Sequence, residues 1–283
     1  MKIAFWSENK GAGTTFNLAV IACASVCLYP LSVAVVSGGY RDEKLENKFF
    51  GKTGNIPKFT TIAADVGQES LLAAETEEFF ISSGLECLLC KEKPEDLTES
   101  VVKANMRQVI KDRMYCLPAN VGQEYEWWYR DYRFVRMDRV MSAIETFFDV
   151  VFIDCGSRQD DYARKILSEA DVCVLNIEQG ADGIGDFYLN SPQFRGEIFF
   201  LLGKYFGNAL YNRQNVQRIY RMEESRLGAI PYNTRLHAAE QTGKIDRFIE
   251  NYVGQMAGEK DTEFEKELVR TTNLILKMTG LVA

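Results

Sequence analysis

The sequence has few of the residues that build metal sites. It contains one histidine, His237, and its seven cysteines include a single CxxC pair, Cys87 and Cys90. A structural zinc site needs four Cys or His ligands, and no second CxxC is present to complete one. An odd cysteine count, with several thiols inside apolar runs, is typical of a reduced cytoplasmic protein. We therefore predict buried free thiols, with metal or redox use of the CxxC pair as the alternative, and a structural His237.

Long apolar runs, flexible linkers and excess positive charge are missing as well. The longest apolar stretch is interrupted by Ser25, Pro30 and Ser32, which indicates helix, turn and strand instead of a membrane span. No segment rich in Pro, Gly or Ser divides the chain, so we predict one domain over 1–283. The formal net charge of −7 argues against DNA as a partner. Strand-like residues begin at once, without a signal peptide, which fits a cytoplasmic protein.

Apolar runs alternate with helical stretches, and the apolar runs show little polar alternation. Such strands are covered on both faces, as in parallel sheets. The sequence therefore predicts an α/β fold, a three-layer sandwich with a mostly parallel sheet of about seven strands. The predicted strands are Ile3–Ser7, Leu31–Ser37, Arg113–Leu117, Val150–Ile153, Val172–Ile177, Ile198–Leu202 and Leu227–Pro231. The predicted helices are Thr14–Leu28, Glu69–Ser82, Pro94–Lys111, Val135–Phe147, Asp160–Ala170, Val216–Ser225, Asp246–Val253 and Thr262–Met278.

A glycine-rich turn joins the first strand to the first helix. It reads Gly11-Ala12-Gly13-Thr14-Thr15. Glycines let backbone N–H groups approach phosphate oxygens, and the helix points its positive end at them. Thr15 stands where a hydroxyl binds Mg²⁺ in phosphate-binding loops. The lysine that such loops carry before this hydroxyl is absent, and a glycine turn without any ligand is the alternative.

Two further segments end at the same edge of the predicted sheet. Asp154 follows an apolar strand, where a carboxylate can orient the water shell of a magnesium ion. It could instead cap the segment that follows. Lys204, after a late strand, and Pro231-Tyr232 stand where a base could bind. The order of these elements along the chain indicates descent from a phosphate-binding protein.

Taken together, the segments resemble the ParA/MinD family of P-loop ATPases. That family has a deviant phosphate loop, KGGxGKT, and FFDVVFIDCGS is similar to its YDxVIIDxPP segment. SEADVCVLNIEQ and LGAIPYNTRLHAAEQTGK are similar to its ADxxxxV and IPYDxxxxxAxxxG segments. The resemblance implies a P-loop NTPase-like fold, ATP with Mg²⁺, and a homodimer. It implies nucleotide contacts by Asn9, Lys10, Gly11, Ala12, Gly13, Thr14, Thr15, Lys204, Pro231 and Tyr232, and magnesium contacts by Thr15 and Asp154.

The departures from the family pattern concern its charged residues. Without gaps, Asn9 stands at the signature lysine and Thr14 at the phosphate-binding lysine. Asp42 is the nearest acid after the second strand. Without these charges, turnover should fall by several orders of magnitude. Lys10 would compensate if the loop were one residue shorter, so Lys10 and Asp42 are the candidate catalytic residues of a slow ATPase.

The preferred interpretation is a pseudo-ATPase that acts as a localisation or assembly factor and binds, or formerly bound, nucleotide. The phosphate loop without its lysines, and the Trp6-Ser7 pair that precedes it, resemble the TadZ/CpaE-like branch of the family. That resemblance implies a role in Flp-type pilus assembly. A slow partitioning or division-site ATPase and a nucleotide-independent scaffold are the alternatives. The aromatic cluster Tyr125–Tyr132 suits either a protein partner or internal packing. We predict that the last helix docks on the sheet, with peripheral membrane association as the alternative.

Overall fold

The structure is a computed structural model. It describes residues 1–38, 44–51, 84–91, 93–119, 126–180, 194–253 and 262–282, and for residues 126–134 and 262 it describes the backbone alone. Two predicted features, the helix Glu69–Ser82 and the acid Asp42, lie outside the described residues.

One eight-stranded sheet organises the fold, in the order β3-β4-β2-β5-β1-β6-β7-β8. All neighbouring strands are parallel except the pair β3 and β4. The predicted mostly parallel α/β sheet is thus confirmed. The strands are β1 (Lys2–Trp6), β2 (Val33–Ser37), β3 (Arg107–Ile110), β4 (Met114–Leu117), β5 (Val150–Gly156), β6 (Val172–Ile177), β7 (Glu197–Tyr205) and β8 (Leu227–Pro231).

Helices cover both faces of this sheet. Alternate residues of β1 belong to different cores: Ile3 and Phe5 pack in one, Ala4 and Trp6 in the other. Both faces of a strand are therefore apolar, which is why the predicted strands lack polar alternation. The described helices are α1 (Thr14–Leu28), α2 (Lys44–Phe50), α3 (Leu85–Leu89), α4 (Glu99–Ala104), α5 (Glu126–Phe147), α6 (Asp161–Glu169), α7 (Arg213–Tyr220), α8 (Thr234–Gln241), α9 (Ile245–Val253) and α10 (Thr262–Met278).

Helix α10 docks against the sheet, as the sequence predicts. Phe264, Leu268 and Ile275 are buried in the core that also holds α1 and α9. The buried hydroxyl of Thr271 donates to the carbonyl of Ala229 in β8 and accepts from its N–H, both at 3.0 Å. The apolar face of α10 is thereby covered by protein. Among the described helices, none is both long and apolar enough to cross a bilayer.

The predicted helix Pro94–Lys111 is wrong. A 3₁₀ turn at Pro94–Asp96 and the short α4 are followed by β3, which pairs antiparallel with β4. Thr98 caps α4 at its start, and Asp112 takes a left-handed conformation (φ 57°) in the turn between the strands. Pairing at the sheet edge outweighs local helix preference here and adds the eighth strand.

Both ends of α7 also differ from the predicted ones. The helix was predicted over Val216–Ser225 but begins at Arg213, after Asn212 caps it, and ends at Tyr220. Arg221, with φ 52°, is the left-handed residue that terminates it. Three described helices, α2, α3 and α8, have no predicted counterpart. The remaining described helices and strands overlap their predicted ranges.

Candidate functional site

The glycine-rich loop has the backbone that phosphate-binding loops need. Gly11 and Gly13 have φ of 96° and 82°, values that side chains other than glycine rarely tolerate. Gly13 is the N-cap of α1, and as a glycine it has no side chain that could cap the first N–H groups of the helix. The first N–H groups of α1 are therefore available to an anion. The backbone around Gly11 and Gly13 fits the role that the sequence predicts.

Thr14, which the sequence resemblance aligns with the phosphate-binding lysine, makes a contact within the loop. Its side chain is 5% exposed, and its hydroxyl donates to Ser7 Oγ at 2.9 Å. Ser7 in turn donates to the carbonyl of Asn9 at 3.0 Å. The Thr14 hydroxyl thus closes the loop on itself. A hydroxyl that holds the loop together therefore stands at the position that the resemblance assigns to an ammonium group.

A second polar contact fixes the first turn of α1 to the neighbouring strands. Asn17, fully buried, donates through Nδ2 to Asn176 Oδ1 at 2.8 Å. A Cβ at Gly203 in β7 would lie 2.7 Å from Asn17 Nδ2 and 2.9 Å from the Ala12 carbonyl. Gly203 therefore leaves the room that the loop and Asn17 occupy.

An open cleft of about 650 Å³ lies over the loop. This volume is within the roughly 300–1,000 Å³ of small-molecule sites. Four lysines and one glutamate are its charged lining residues within the described part of the chain, an excess of three positive charges. On a chain of net charge −7, such a local reversal of sign attracts polyanions. The lining includes Lys10, Gly11, Gly13, Thr14, Thr15, Lys44, Lys48, Gly156, Lys204, Tyr232, His237 and Glu240.

Lys204 reaches the cleft through an irregularity in β7. The register of β7 against β8 shifts between Leu202 and Tyr205, and Lys204 has a φ of 49°. Bulges of this kind redirect a side chain at the end of a strand. Tyr232, 43% exposed, lines the same end of the cleft and stacks on Phe206 with a 5.3 Å centroid separation. The two segments predicted to hold a base therefore meet.

The predicted magnesium residues are only partly brought together. Thr15 lines the cleft, whereas Asp154 is 5% exposed and is not among the lining residues. Asp154 Oδ1 accepts from the Gly156 N–H at 3.0 Å, directly below the cleft wall. Burial, followed by the Asp154 charge, raises the pKa of the adjacent Cys155 thiol well above its usual value. Asp154 is thus an inner carboxylate beneath the Gly156 turn.

The other predicted contacts fall around the loop. Asn9 and Lys10 are exposed, and Ala12 is buried; of these, Lys10 lines the cleft. Pro231 is half-buried at the end of β8 and stands beside the lining residue Tyr232. A nucleotide polyphosphate fits this site in three respects: a glycine loop at the start of α1, a cleft of adequate volume and a positive lining.

Sequence reasoning missed one wall of the cleft. Lys44 and Lys48 of α2, and His237 and Glu240 of α8, all line it. His237, predicted to be structural, is half-exposed, and its Nδ1 lies 3.0 Å from Glu240 Oε2. The i,i+4 spacing of the two lysines and the i,i+3 spacing of His237 and Glu240 place each pair on one helix face. That spacing was the available signal, although no motif marks it.

The remaining predicted features are resolved in part. Four of the seven thiols are buried and all are free, but Cys87, Cys90 and Cys27 are only half-buried. Among the described residues, no group of His, Cys, Asp and Glu could hold a metal ion through protein side chains alone. Tyr125 and the side chains of 126–132, the aromatic cluster, lie outside the described residues.

Comparison with protein-family models and with curated proteins gave no match. Solved structures do match. A ParA family ATPase from Chlorobium tepidum superposes with a TM-score of 0.66 at 12% identity, over 96% of this chain and 98% of the other. The chain has the fold of the ParA and MinD ATPases.

Two further ParA/MinD structures were solved with nucleotide. The septum site-determining protein MinD from Pyrococcus horikoshii, complexed with Mg-ADP, gives a TM-score of 0.61 at 16% identity, over 100% of this chain and 98% of that one. A putative plasmid partition protein from Borrelia burgdorferi, bound to AMPPNP, gives 0.61 at 13% identity, over 98% of each chain. At these identities the likeness concerns the fold alone.

Proposed function

We propose that this protein is a nucleotide-binding localisation or assembly factor of ParA/MinD type in which hydrolysis is weak or lost. The observation that carries the proposal is the Thr14 hydroxyl, which closes the loop on Ser7 where an ammonium would neutralise the phosphates. The backbone cradle at Gly11 and Gly13 and the lysine-lined cleft are intact. Binding is therefore supported, and transition-state stabilisation by a loop lysine is not.

In the proposed complex, the phosphates lie over the N-terminus of α1. Thr15, which lines the cleft, would contact the magnesium ion, and the buried carboxylate of Asp154 would orient water bound to that ion. The base lies toward Lys204 and Tyr232. Nucleotide binding would then control the formation of a homodimer or of a complex with a protein partner. This complex would form in the cytoplasm, with peripheral association with the membrane as the alternative. Work in Flp-type pilus assembly, of the TadZ/CpaE kind, is the specific role we propose to test.

Slow hydrolysis is the second candidate function, because Lys10 is exposed and lines the cleft. In this version Lys10 neutralises phosphate charge in the transition state and Asp42 positions water. Phosphate release from Mg-ATP should then disappear in Lys10→Ala. Release that is absent from the unaltered protein, or unchanged in Lys10→Ala, contradicts this candidate and favours the pseudo-ATPase.

Thermal unfolding with and without Mg-ATP tests nucleotide binding. At a ligand concentration of about 100 Kd, binding stabilises the native state by about 2.7 kcal/mol. For chains approaching this size each kcal/mol shifts Tm by roughly 2–4 °C, so we expect an increase of about 5–10 °C. Gly13→Ala should abolish the shift, because a φ of 82° strains alanine within the cradle.

Gly280→Ala is the matched control. Gly280 also has a positive φ, 72°, and a Cβ there would meet no other atom within 4 Å. It carries the same backbone strain away from the cleft, so it should keep the nucleotide shift. Absence of any shift at millimolar Mg-ATP in the unaltered protein would overturn the proposal and leave the nucleotide-independent scaffold.

A further inference from the structure

An ion pair joins two helices at the wall of the cleft. Lys48 Nζ of α2 contacts Glu240 Oε1 of α8, with side chains only 20% and 16% exposed. The other carboxylate oxygen, Oε2, lies 3.0 Å from Nδ1 of His237. Glu240 thus engages two basic groups that both line the cleft.

The setting of Glu240 is unusual within this cleft. It is the only acidic lining residue in the described part of the chain, and it stands among four lysines. A carboxylate offers a lysine the same charge-assisted contact that a phosphate oxygen offers. Glu240 therefore sits where it satisfies an ammonium group that would otherwise be free to bind an anion.

Contacts other than the ion pair also hold α2 in place. Leu45 and Phe49 of α2 are buried in the core, and Glu46 accepts the Ala119 N–H at 2.7 Å. At the end of α2 the backbone meets the α8–α9 turn so closely that a Cβ on Gly243 would lie 1.8 Å from Gly51 N. The ion pair of Lys48 and Glu240 is therefore not the sole connection between α2 and the rest of the fold.

We propose that Lys48 is the ammonium that replaces the missing loop lysine, and that Glu240 is its intramolecular competitor. Without ligand, Glu240 neutralises Lys48. When a polyphosphate enters, Lys48 exchanges the carboxylate for phosphate oxygens, which carry more negative charge. Lysine suits this exchange because its charge is compact and its stem flexible. The inference rests on the proposed nucleotide site and names its specificity-determining cation.

Titration calorimetry tests the exchange, with Mg-ATP and inorganic tripolyphosphate as probes. Lys48→Met should weaken binding of both about tenfold or more, because it removes a charge-assisted contact. Lys48→Arg, which keeps the charge, should bind more tightly than Lys48→Met. Glu240→Gln should tighten binding about threefold or more, because the competing charge is gone. This opposite sign is the distinctive result, since a purely structural ion pair would lose affinity from either side.

Lys103→Met is the matched control. Lys103 also forms a lysine–glutamate ion pair, with Glu99 at 2.6 Å, but it does not line the cleft, so its variant should bind as the unaltered protein does. Equal affinity in Lys48→Met, or weakened affinity in Glu240→Gln, would overturn the exchange while leaving nucleotide binding intact. Absence of binding by the unaltered protein would overturn the proposed function itself. If Lys48→Met fails to fold, Glu240→Gln decides alone.

Discussion

Replacing Thr14 by valine separates a structural role for its hydroxyl from a ligand-binding role. Valine has nearly the shape of threonine, so the change removes the O–H that donates to Ser7 Oγ at 2.9 Å with little change in packing. Ser7 is 3% exposed, so water cannot readily replace the lost donor. Such a loss costs about 1–2 kcal/mol, which for chains approaching this size lowers Tm by roughly 2–8 °C.

Thermal unfolding of Thr14→Val, with and without saturating Mg-ATP, is the assay. We expect the fall in Tm without ligand, and a nucleotide-induced increase that is close to that of the unaltered protein. Thr14→Ser, which keeps the hydroxyl, should keep most of the stability. An unchanged Tm without ligand, combined with loss of the nucleotide-induced increase, would show that the Thr14 hydroxyl contacts the ligand. That result would refute its structural role in the loop.

Three further predictions concern packing, pH and thiols. Gly243→Ala should lower the free energy of unfolding in urea by about 2–4 kcal/mol, because its Cβ would overlap Gly51 and its φ is positive; unchanged stability would contradict the close backbone contact. Burial raises the pKa of Asp246, so this carboxyl favours folding when protonated, and the benefit is lost as pH rises through the raised pKa. Asp246→Asn should therefore be more stable than the unaltered protein at pH 7, and the difference in free energy of unfolding should shrink on acidification. A difference that does not depend on pH would contradict this. A thiol reagent should label the buried cysteines only after unfolding; these are Cys23, Cys116, Cys155 and Cys173. Burial also raises the pKa of Cys173 to about 12, so little reactive thiolate forms there. Mass spectrometry of the alkylated native protein checks this, and rapid labelling of these thiols in the native state would contradict their burial.

Much of the fold is predictable because the strands of a parallel sheet are apolar throughout. Val172–Ile177 and Leu227–Pro231 were predicted with their observed ends, since each is an apolar run bounded by polar or helical residues. Strand β3 was missed because Arg107–Ile110 has no strand-like pattern of its own. It becomes a strand by pairing with β4, and pairing between segments is not written in either segment alone.

The site residues that follow strands of the sheet could be predicted from the sequence. Those that meet only through the packing of helices could not. The loop, Lys204 and Tyr232 follow strands, so topology alone brings them to one sheet edge. Lys48 and Glu240 meet because α2 and α8 pack together, although 192 positions separate them. The buried Thr14–Ser7 contact likewise depends on the loop's path, which residue types do not specify.

Titration calorimetry of the unaltered protein with ATP, in the presence and absence of Mg²⁺, tests the central claim most directly. The glycine cradle and the positive cleft predict saturable binding that is tighter with magnesium, in the micromolar range. No heat at millimolar nucleotide, with or without the metal, would show that the loop keeps the shape of a phosphate site without its function.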